Sequence, residues 1–381
     1  KIMKTVAFNM SHDASICTCE NGKIETYLEE ERVSRLKQDS VPVNAFYKLF
    51  GNNTSAKDLS KYDFGFTGLR YWPVNDNANK RLDFEEEISA YINFVILKSM
   101  TRSDRHERES LAKEKFAGSV RYDEHHVFHA FSGFYNSGFD DAAILVVDGM
   151  GNPTTKESDM QEVASLYTLN YPADLKCWAK LETPKHHSEA MMSRDLHSDW
   201  PMGIGMAYSA IASYLGFGFL GAGKVMGLAP YGKEDENIKP FIDDNYGINS
   251  RLFYRTHDGC NFIPYDYLPK DWDYTKWDDD VQKIANLAYR LQKDFEKWMI
   301  YMIKQALEIT GKKNIVISGG CSLNCVANYE YLKHIPEGVK LFVDPISNDS
   351  GTAIGLAKFL YYSKTGSMDK HPLETLYLGP E

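Results

Sequence analysis

A pattern that occurs twice in the sequence limits the folds open to this chain. An apolar strand is predicted at residues 3–9, followed by a polar loop and two alternating runs at 14–19 and 23–29. Glu20-Asn21-Gly22 joins these runs, and Asn-Gly between strand-like segments is the strongest local signal of a β-hairpin. The order recurs with an apolar strand at 142–148, a glycine-rich loop, and strands at 164–169 and 177–183. The repetition predicts two lobes of similar construction.

Two such lobes are the architecture of the actin-like ATPase and sugar-kinase superfamily. Each lobe there is a ribonuclease-H-like α/β unit, and two phosphate-binding hairpin loops face each other across a nucleotide cleft. We therefore predict an α/β fold with a first lobe over residues 1–140 and a second over 141–381. A length of 381 residues fits two domains of ordinary size. The second lobe should contain a long amphipathic helix at 281–310, a strand at 314–318 and a helix at 351–361.

Composition narrows the function classes. The formal charge of −10 argues against a broad nucleic-acid-binding surface, because phosphate contacts need clustered Lys and Arg. The six cysteines show no disulfide framework and no signal peptide precedes them, which predicts reduced thiols in a cytoplasmic protein. Residues 200–223 carry no charge and are long enough to span a bilayer. Their Gly, Ser and Tyr content favours a buried helix that leads into a glycine-rich loop.

Two histidines suggest a metal site. His125 and His129 are four residues apart, so on a helix both side chains project from one face and can bind one ion. His126 points elsewhere on the same helix. A histidine pair at this spacing is more often an ordinary buried or surface pair than a metal site, so the pattern needs a third ligand.

Asp349 is the candidate third ligand. It lies in a polar loop between a predicted strand and a predicted helix, where side chains turn toward a cleft. Two histidines and one carboxylate leave coordination positions open, an arrangement that Fe(II) favours, with zinc as competitor. The alternative role of Asp349 is to cap the N-terminus of the following helix.

Glycine-rich turns supply candidate phosphate contacts. Ser11 lies in the polar loop after the first strand, and Asp148, Gly149 and Gly151 follow the strand that opens the second lobe. Exposed backbone N–H groups in such turns can hold phosphates. Each turn alone is equally compatible with a plain β-turn, and the two at equivalent places in similar units are more specific.

Further candidates accompany these loops. Lys224 stands among glycines at 221–232, which places a cation where backbone can approach a phosphate, although the spacing is not that of a Walker A loop. Gly319 and Gly320 follow a predicted strand and, with Asn324 nearby, could admit a purine or ribose; tight helix–strand packing explains them equally well. Lys37 ends a charged run, and such runs normally form a solvated face. This run follows the hairpin that returns from the first loop, which would bring Lys37 within reach of the cleft.

Seven motifs together resemble a known family. They occur in the same order, over essentially the whole chain, in the O-carbamoyltransferases of nodulation-factor and antibiotic biosynthesis. The motifs are HDAS, EEERVSRLK, HHVFHA, VDGMG, GKVMGLAPYG, SGGCSLN and NDSG. Where that family usually has glycine-glutamate before the lysine of the GKVMG motif, this chain has Gly221-Ala222-Gly223.

The resemblance implies an actin-like fold related to the ATPase that makes threonylcarbamoyladenosine on tRNA. It implies that His125, His129 and Asp349 hold iron or another divalent metal, with zinc, manganese and magnesium as alternatives. The implied reaction transfers a carbamoyl group from carbamoyl-adenylate, made from carbamoyl phosphate and ATP, to an acceptor hydroxyl. Family members usually continue into a YrdC-like domain that forms the adenylate. We expect that domain beyond residue 381 or as a separate partner.

These inferences give a working mechanism. Ser11, Gly149 and Lys224 would steady phosphates, and His12 or Asp13 would act as the base for the acceptor hydroxyl. Lys37 would polarise the carbamoyl carbonyl. The acceptor would be a small molecule, a sugar or a modified nucleoside, with the aromatic, acidic segment 231–280 lining its pocket. The rival functions are a kinase or ATPase of the same superfamily and a non-catalytic nucleotide-binding subunit.

Overall fold

The computed structural model describes residues 2–39, 41–51, 61–68, 125–152, 160–184, 202–248 and 281–379, and the backbone of 253–255 and 262–264. The strands within these ranges are β1 (Lys4–Asn9), β2 (Ser15–Glu20), β3 (Lys23–Glu29), β4 (Tyr62–Thr67), β5 (Asp141–Val147), β6 (Met160–Asn170), β7 (Asp174–Pro184), β8 (Phe253–Arg255), β9 (Phe262–Pro264), β10 (Asn314–Ser318) and β11 (Lys340–Val343). The α-helices are α1 (Glu30–Ser34), α2 (Val43–Phe50), α3 (His125–Ser137), α4 (Ile204–Tyr214), α5 (Ala222–Leu228), α6 (Val281–Thr310), α7 (Cys325–Tyr331) and α8 (Thr352–Thr365). Within the same ranges, short 3₁₀ turns cover Ala229–Tyr231, Gly320–Leu323 and Asp349–Gly351.

The chain forms two compact units. The first contains residues 1–144, 168–176 and 344–381, and the second contains 145–167 and 177–343. The division falls within strands β5, β6 and β7. The last 38 residues therefore pack with the N-terminal part of the chain.

The first unit is built on a four-stranded sheet in the order β3-β2-β1-β4. β1, β2 and β3 are antiparallel neighbours, whereas β4 runs parallel to β1. Asn21 and Gly22 both have positive φ (50° and 80°), the conformation that an Asn-Gly hairpin requires. The hairpin predicted from the sequence is confirmed.

Helices cover both faces of this sheet. On one face, Phe8 and Phe66 stack with their ring centroids 5.0 Å apart and pack with Phe46 of α2 in an apolar core. On the other face the hydroxyl of Thr5 donates to the carbonyl of Ala357 in α8 over 2.7 Å. Helix α3 packs against α8 in turn. The sheet, α8 and α3 thus form successive layers.

The second unit contains the long helix α6, whose bounds match the predicted 281–310. Strand β10 also has its predicted bounds and pairs in parallel with β11. Both belong to a five-stranded sheet in the order β11-β10-β5-β6-β7. The predicted α/β class is confirmed.

The uncharged segment contains the eleven-residue helix α4, which is buried along nearly its whole length. Within the described ranges, no helix combines the length and apolar character needed to cross a membrane. Most of segment 231–280, including Trp272, Tyr274 and Trp277, lies outside the residues whose side chains the structure describes.

Candidate functional site

The first unit brings the predicted metal ligands together. Nε2 of His125 and Nε2 of His129 are 3.1 Å apart, as their positions one turn apart on α3 allow. Oδ1 of Asp349 lies 3.4 Å from the first of these nitrogens and 3.7 Å from the second. All three side chains are almost completely buried. Residues separated by more than two hundred positions thus form one compact cluster.

The triangle of ligand atoms fits a divalent metal. With metal–ligand bonds of about 2.1 Å, neighbouring ligand atoms stand about 3.0 Å apart in octahedral and about 3.4 Å apart in tetrahedral coordination. The three observed separations lie close to these values. The second role considered for Asp349 is not seen, because the N-cap of α8 is Gly351.

Electrostatics favour an ionised Asp349. Burial opposes its ionisation, but His125 and His12 beside it, with hydrogen bonds from His125 and His129, hold its pKa well below the ordinary carboxyl value. Burial, together with the charge of Asp349, raises the pKa of Asp13 to about 6, although His12 opposes this shift. Both groups are therefore mainly ionised at neutral pH, but Asp13 takes up a proton at a much higher pH than Asp349.

His12 bridges these two carboxylates. Its Nδ1 lies 3.5 Å from Oδ2 of Asp349, and its Nε2 lies 3.4 Å from Oδ2 of Asp13. The amide of Asn348 donates to the same Asp13 oxygen over 3.2 Å. Loop 9–15 is thereby attached to the segment that carries Asp349.

Two features fix α3 against the Asp349 segment. Gly355 of α8 allows close approach, because a Cβ there would stand 2.1 Å from the carbonyl oxygen of Phe128 in α3. Asp344, buried just after β11, accepts hydrogen bonds from Ser132 (2.9 Å) and Asn136 (3.2 Å), both on α3. Burial raises the pKa of Asp344, although these bonds oppose the shift.

Asp344, Ser132 and Asn136 were not among the site residues predicted from the sequence. The signal was present on α3, where His125, His129, Ser132 and Asn136 follow one another at intervals of four, three and four residues. That spacing places a continuous polar stripe on one face of an otherwise aromatic helix. A buried polar stripe of this kind indicates partners elsewhere in the chain.

The second unit brings together part of the predicted nucleotide set. Oδ1 of Asp148, at the end of β5, accepts hydrogen bonds from the backbone N–H groups of Gly149 (2.8 Å) and Gly320 (3.2 Å). Gly319 has φ of +89°, and a Cβ there would stand 2.4 Å from the carbonyl oxygen of Val147. Two loops after neighbouring strands therefore meet backbone to backbone, and Gly319 makes the tight packing that was the alternative role considered for it.

The remaining candidates have other contacts. Asn324 caps α7 by accepting from the N–H of Ala327 (3.1 Å), and its amide donates to Gln292 (2.9 Å). Gly151 donates its N–H to the carbonyl of Glu162, which anchors the turn after β5.

The two lysines lie at the surface, and Ser11 is buried. Lys224 is exposed on α5, with Nζ 5.6 Å from the ring centre of Phe217. Lys37 is exposed and pairs with Glu31 at 2.7 Å. Ser11 accepts from the amide of Asn9 over 2.9 Å.

A family model described as "Carbamoyltransferase N-terminus" matches residues 4–358. The chain belongs to this carbamoyltransferase family. The matched region includes His125, His129 and Asp349 as well as the glycine-rich loops of the second unit. The family resemblance inferred from seven motifs is thereby confirmed.

Curated proteins with distant similarity cover much of this chain. The nodulation protein NolNO of Sinorhizobium fredii is 24% identical over 373 residues, which cover 97% of this chain and 49% of that protein. NolO of Bradyrhizobium diazoefficiens is 27% identical over 259 residues, or 68% of this chain and 41% of that protein. An uncharacterised Synechocystis protein is 26% identical over 398 residues, or 97% of this chain and 59% of that protein. The chain spans about half the length of the curated relatives it matches.

A solved structure supports the fold of this carbamoyltransferase-family chain. The crystal structure of T. kodakarensis HypF matches with a TM-score of 0.52 at 12% identity, covering 96% of this chain and 48% of that protein. At this identity the likeness concerns the fold alone. It agrees with the predicted actin-like architecture.

Proposed function

We propose that this protein transfers a carbamoyl group from carbamoyl-adenylate to a hydroxyl of an acceptor. Membership of the carbamoyltransferase family supports the reaction class. The observation that carries the proposal is the buried cluster of His125, His129 and Asp349, assembled from distant segments of the first unit. Burying such a cluster costs stability, and a bound cation is one way to offset that cost beside the contacts among the three side chains.

The cluster would hold a divalent metal, with Fe(II) as the first candidate and zinc, manganese or magnesium as alternatives. When bound, the metal would supply a Lewis acid and a template for a phosphate or ribose oxygen. The low pKa of Asp349 supports this role, because the carboxylate is ionised at neutral pH without any metal.

His12 and Asp13 are the proposed bases for the acceptor hydroxyl. Each lies on loop 9–15, and Asp13, with a pKa of about 6, can accept a proton near neutral pH. His12 contacts both Asp13 and Asp349, so it can orient either carboxylate or accept the proton itself. AMP is a stable leaving group and needs little acid assistance, and Lys37 remains the proposed group that polarises the carbamoyl carbonyl.

Residues of the second unit are proposed to bind the nucleotide. Asp148, Gly149, Gly319 and Gly320 form a tight backbone junction at the ends of β5 and β10, and the nucleotide would bind beside it. Gly151 and Lys224 would contribute phosphate contacts, and Asn324 would act by fixing α7. Ser11 is proposed separately as a phosphate contact of the first unit.

A YrdC-like domain or subunit is the proposed source of carbamoyl-adenylate, made from ATP, carbamoyl phosphate and water with release of pyrophosphate and inorganic phosphate. The relatives, about twice as long as this chain, support a further domain in the whole protein. The acceptor would be a small molecule, a sugar or a modified nucleoside.

The test is to incubate the full-length protein with ATP, carbamoyl phosphate and Fe(II), and to follow nucleotides and pyrophosphate by chromatography. We expect pyrophosphate first, then AMP when a hydroxylated acceptor is added. ADP formation that does not depend on carbamoyl phosphate would contradict the proposal and indicate a kinase or ATPase. Nucleotide binding with no turnover under any condition would indicate a regulatory subunit.

A further inference from the structure

Two buried oxygen atoms of the first unit have no hydrogen-bond partner among the residues that the structure describes. They are Oδ1 of Asn9 and Oγ1 of Thr67, on residues that are 0% and 1% exposed. An unsatisfied buried polar atom costs about 1–3 kcal/mol, so natural proteins rarely keep one without a ligand or water to satisfy it. Two at one place call for an explanation.

The orientation of the Asn9 amide is fixed by its neighbours. Its nitrogen donates to the carbonyl oxygen of Asp13 over 2.7 Å and to the hydroxyl of Ser11 over 2.9 Å. A carbonyl oxygen can only accept, so the nitrogen must face Asp13 and the amide cannot be flipped. The amide nitrogen thus binds the loop between β1 and β2, and Oδ1 is an acceptor that this loop does not satisfy.

The two oxygens belong to the same face of the sheet. Asn9 and Thr67 are paired in register at the carboxyl ends of the parallel strands β1 and β4. Side chains alternate along a strand, and the preceding pair, Phe8 and Phe66, stacks in the core on the opposite face. Asn9 and Thr67 thus share the face that carries Thr5, which packs against α8.

This face meets the turn that carries Asp349. Ser15 of β2 pairs with Asn9 and donates its hydroxyl to the carbonyl of Ser350 over 2.7 Å. Ser350 follows Asp349 directly in the 3₁₀ turn before α8. Asn9 is therefore one strand away from a residue that contacts the Asp349 turn, and Thr67 follows on the next strand of the same face.

We propose that Asn9 and Thr67 bind the amide NH₂ of the carbamoyl group and so select carbamoyl over acyl donors. This inference rests on the proposed function. A carbamoyl group carries two N–H donors on one nitrogen, and the subsite offers two oxygens that can accept them. An acetyl group has a methyl at the same position, which would leave both oxygens buried and unsatisfied, so a site built this way rejects it.

The experiment compares two stable adenosine derivatives that differ only at this position. One is 5′-O-sulfamoyladenosine, with an NH₂ group, and the other is 5′-O-methylsulfonyladenosine, with a methyl group. Calorimetric titration of the full-length protein should show about tenfold tighter binding of the sulfamoyl compound, the gain expected from two hydrogen bonds.

Variants separate binding from structural roles. Thr67→Val removes the hydroxyl and keeps the β-branched shape, so we expect about three- to tenfold weaker binding of the sulfamoyl compound only. Its melting temperature should be unchanged or higher, because a buried and unsatisfied hydroxyl is removed. Thr67→Ser should retain the preference. Thr5→Val is the matched control: it breaks the bond to Ala357, so it should lower the melting temperature and keep the preference.

The outcomes are distinguishable. Equal binding of both compounds by the wild-type protein would overturn the subsite while the proposed nucleotide binding stands. A preference that persists in Thr67→Val, with a lower melting temperature, would show that the hydroxyl is structural and would also overturn it. Binding of neither compound would contradict the proposed function and, with it, this inference.

Discussion

Replacement of Gly355 by alanine tests how the metal ligands are held. The new Cβ would stand 2.1 Å from the carbonyl oxygen of Phe128 and 2.8 Å from the backbone nitrogen of Ser132. Ordinary contact begins at 3.4 Å, so the first atom is 1.3 Å too close. Both neighbours are backbone atoms of α3, and no side-chain rotation can relieve the clash. Helices α3 and α8 must move apart.

The size of the effect follows from this displacement. Overpacking of this kind costs about 1–3 kcal/mol of unfolding free energy, partly offset by the higher helix propensity of alanine, about 1 kcal/mol. Metal ligation tolerates only about 0.2 Å of error in distance. A shift of α3 by even half of the required amount would carry His125 and His129 away from Asp349. We therefore expect metal affinity to fall by at least about tenfold, or 1.4 kcal/mol.

Urea unfolding and calorimetric titration with Fe(II) under anaerobic conditions measure the two effects. Gly227→Ala is the control, because Gly227 lies in helix α5 and a Cβ added there would meet open space among the described residues, with no clash within 4 Å. That variant should keep metal affinity and gain up to about 1 kcal/mol of stability. Unchanged stability and unchanged metal affinity in Gly355→Ala would refute the argument that this glycine sets the helix spacing.

Three further variants test other parts of the account. Ser132→Ala should lower the free energy of unfolding by about 1–3 kcal/mol in urea, because it removes a donor to the buried Asp344; an unchanged value would contradict this. Burial lowers the pKa of Lys358 in the folded state, whereas in the unfolded state the lysine keeps its ordinary pKa of 10.5. Between these two pKa values the unfolded state binds more protons, so the free energy of unfolding rises with pH there. Lys358→Met should lose that rise in urea unfolding between pH 7 and 10, and an identical profile would exclude the lysine as its source. Lys37→Ala should leave the melting temperature nearly unchanged, since the lysine is exposed and its pair with Glu31 lies at the surface, yet slow carbamoyl transfer; full activity would remove Lys37 from the mechanism.

Local patterns predicted much of the fold. The Asn21-Gly22 hairpin, helix α6 and strand β10 follow from turn chemistry and apolar periodicity, which act over neighbouring residues. The helix predicted at 351–361 is α8, which begins at Thr352 after a 3₁₀ turn and continues to Thr365. Helix ends depend on capping and packing, so their limits are harder to infer than the helices themselves.

The candidate site was only partly accessible from sequence. The i,i+4 spacing of His125 and His129 predicted that both project from one face, and Asp349, the third ligand proposed from the sequence, lies in the same cluster. The buried pair Asn9 and Thr67 could not be found, because it depends on the register of β1 against β4, which lie far apart in the sequence. Pairing between distant strands has no local signature.

The central claim is most directly tested by AMP release from supplied carbamoyl-adenylate in the presence of a hydroxylated acceptor. The full-length wild-type protein, His129→Ala and His126→Ala should be compared, with bound metal measured in the same samples. His126 lies on the same helix and is equally buried, but it is not one of the proposed ligands. The account predicts loss of both metal and AMP release in His129→Ala, with both retained in His126→Ala. Full AMP release by metal-free His129→Ala would contradict it.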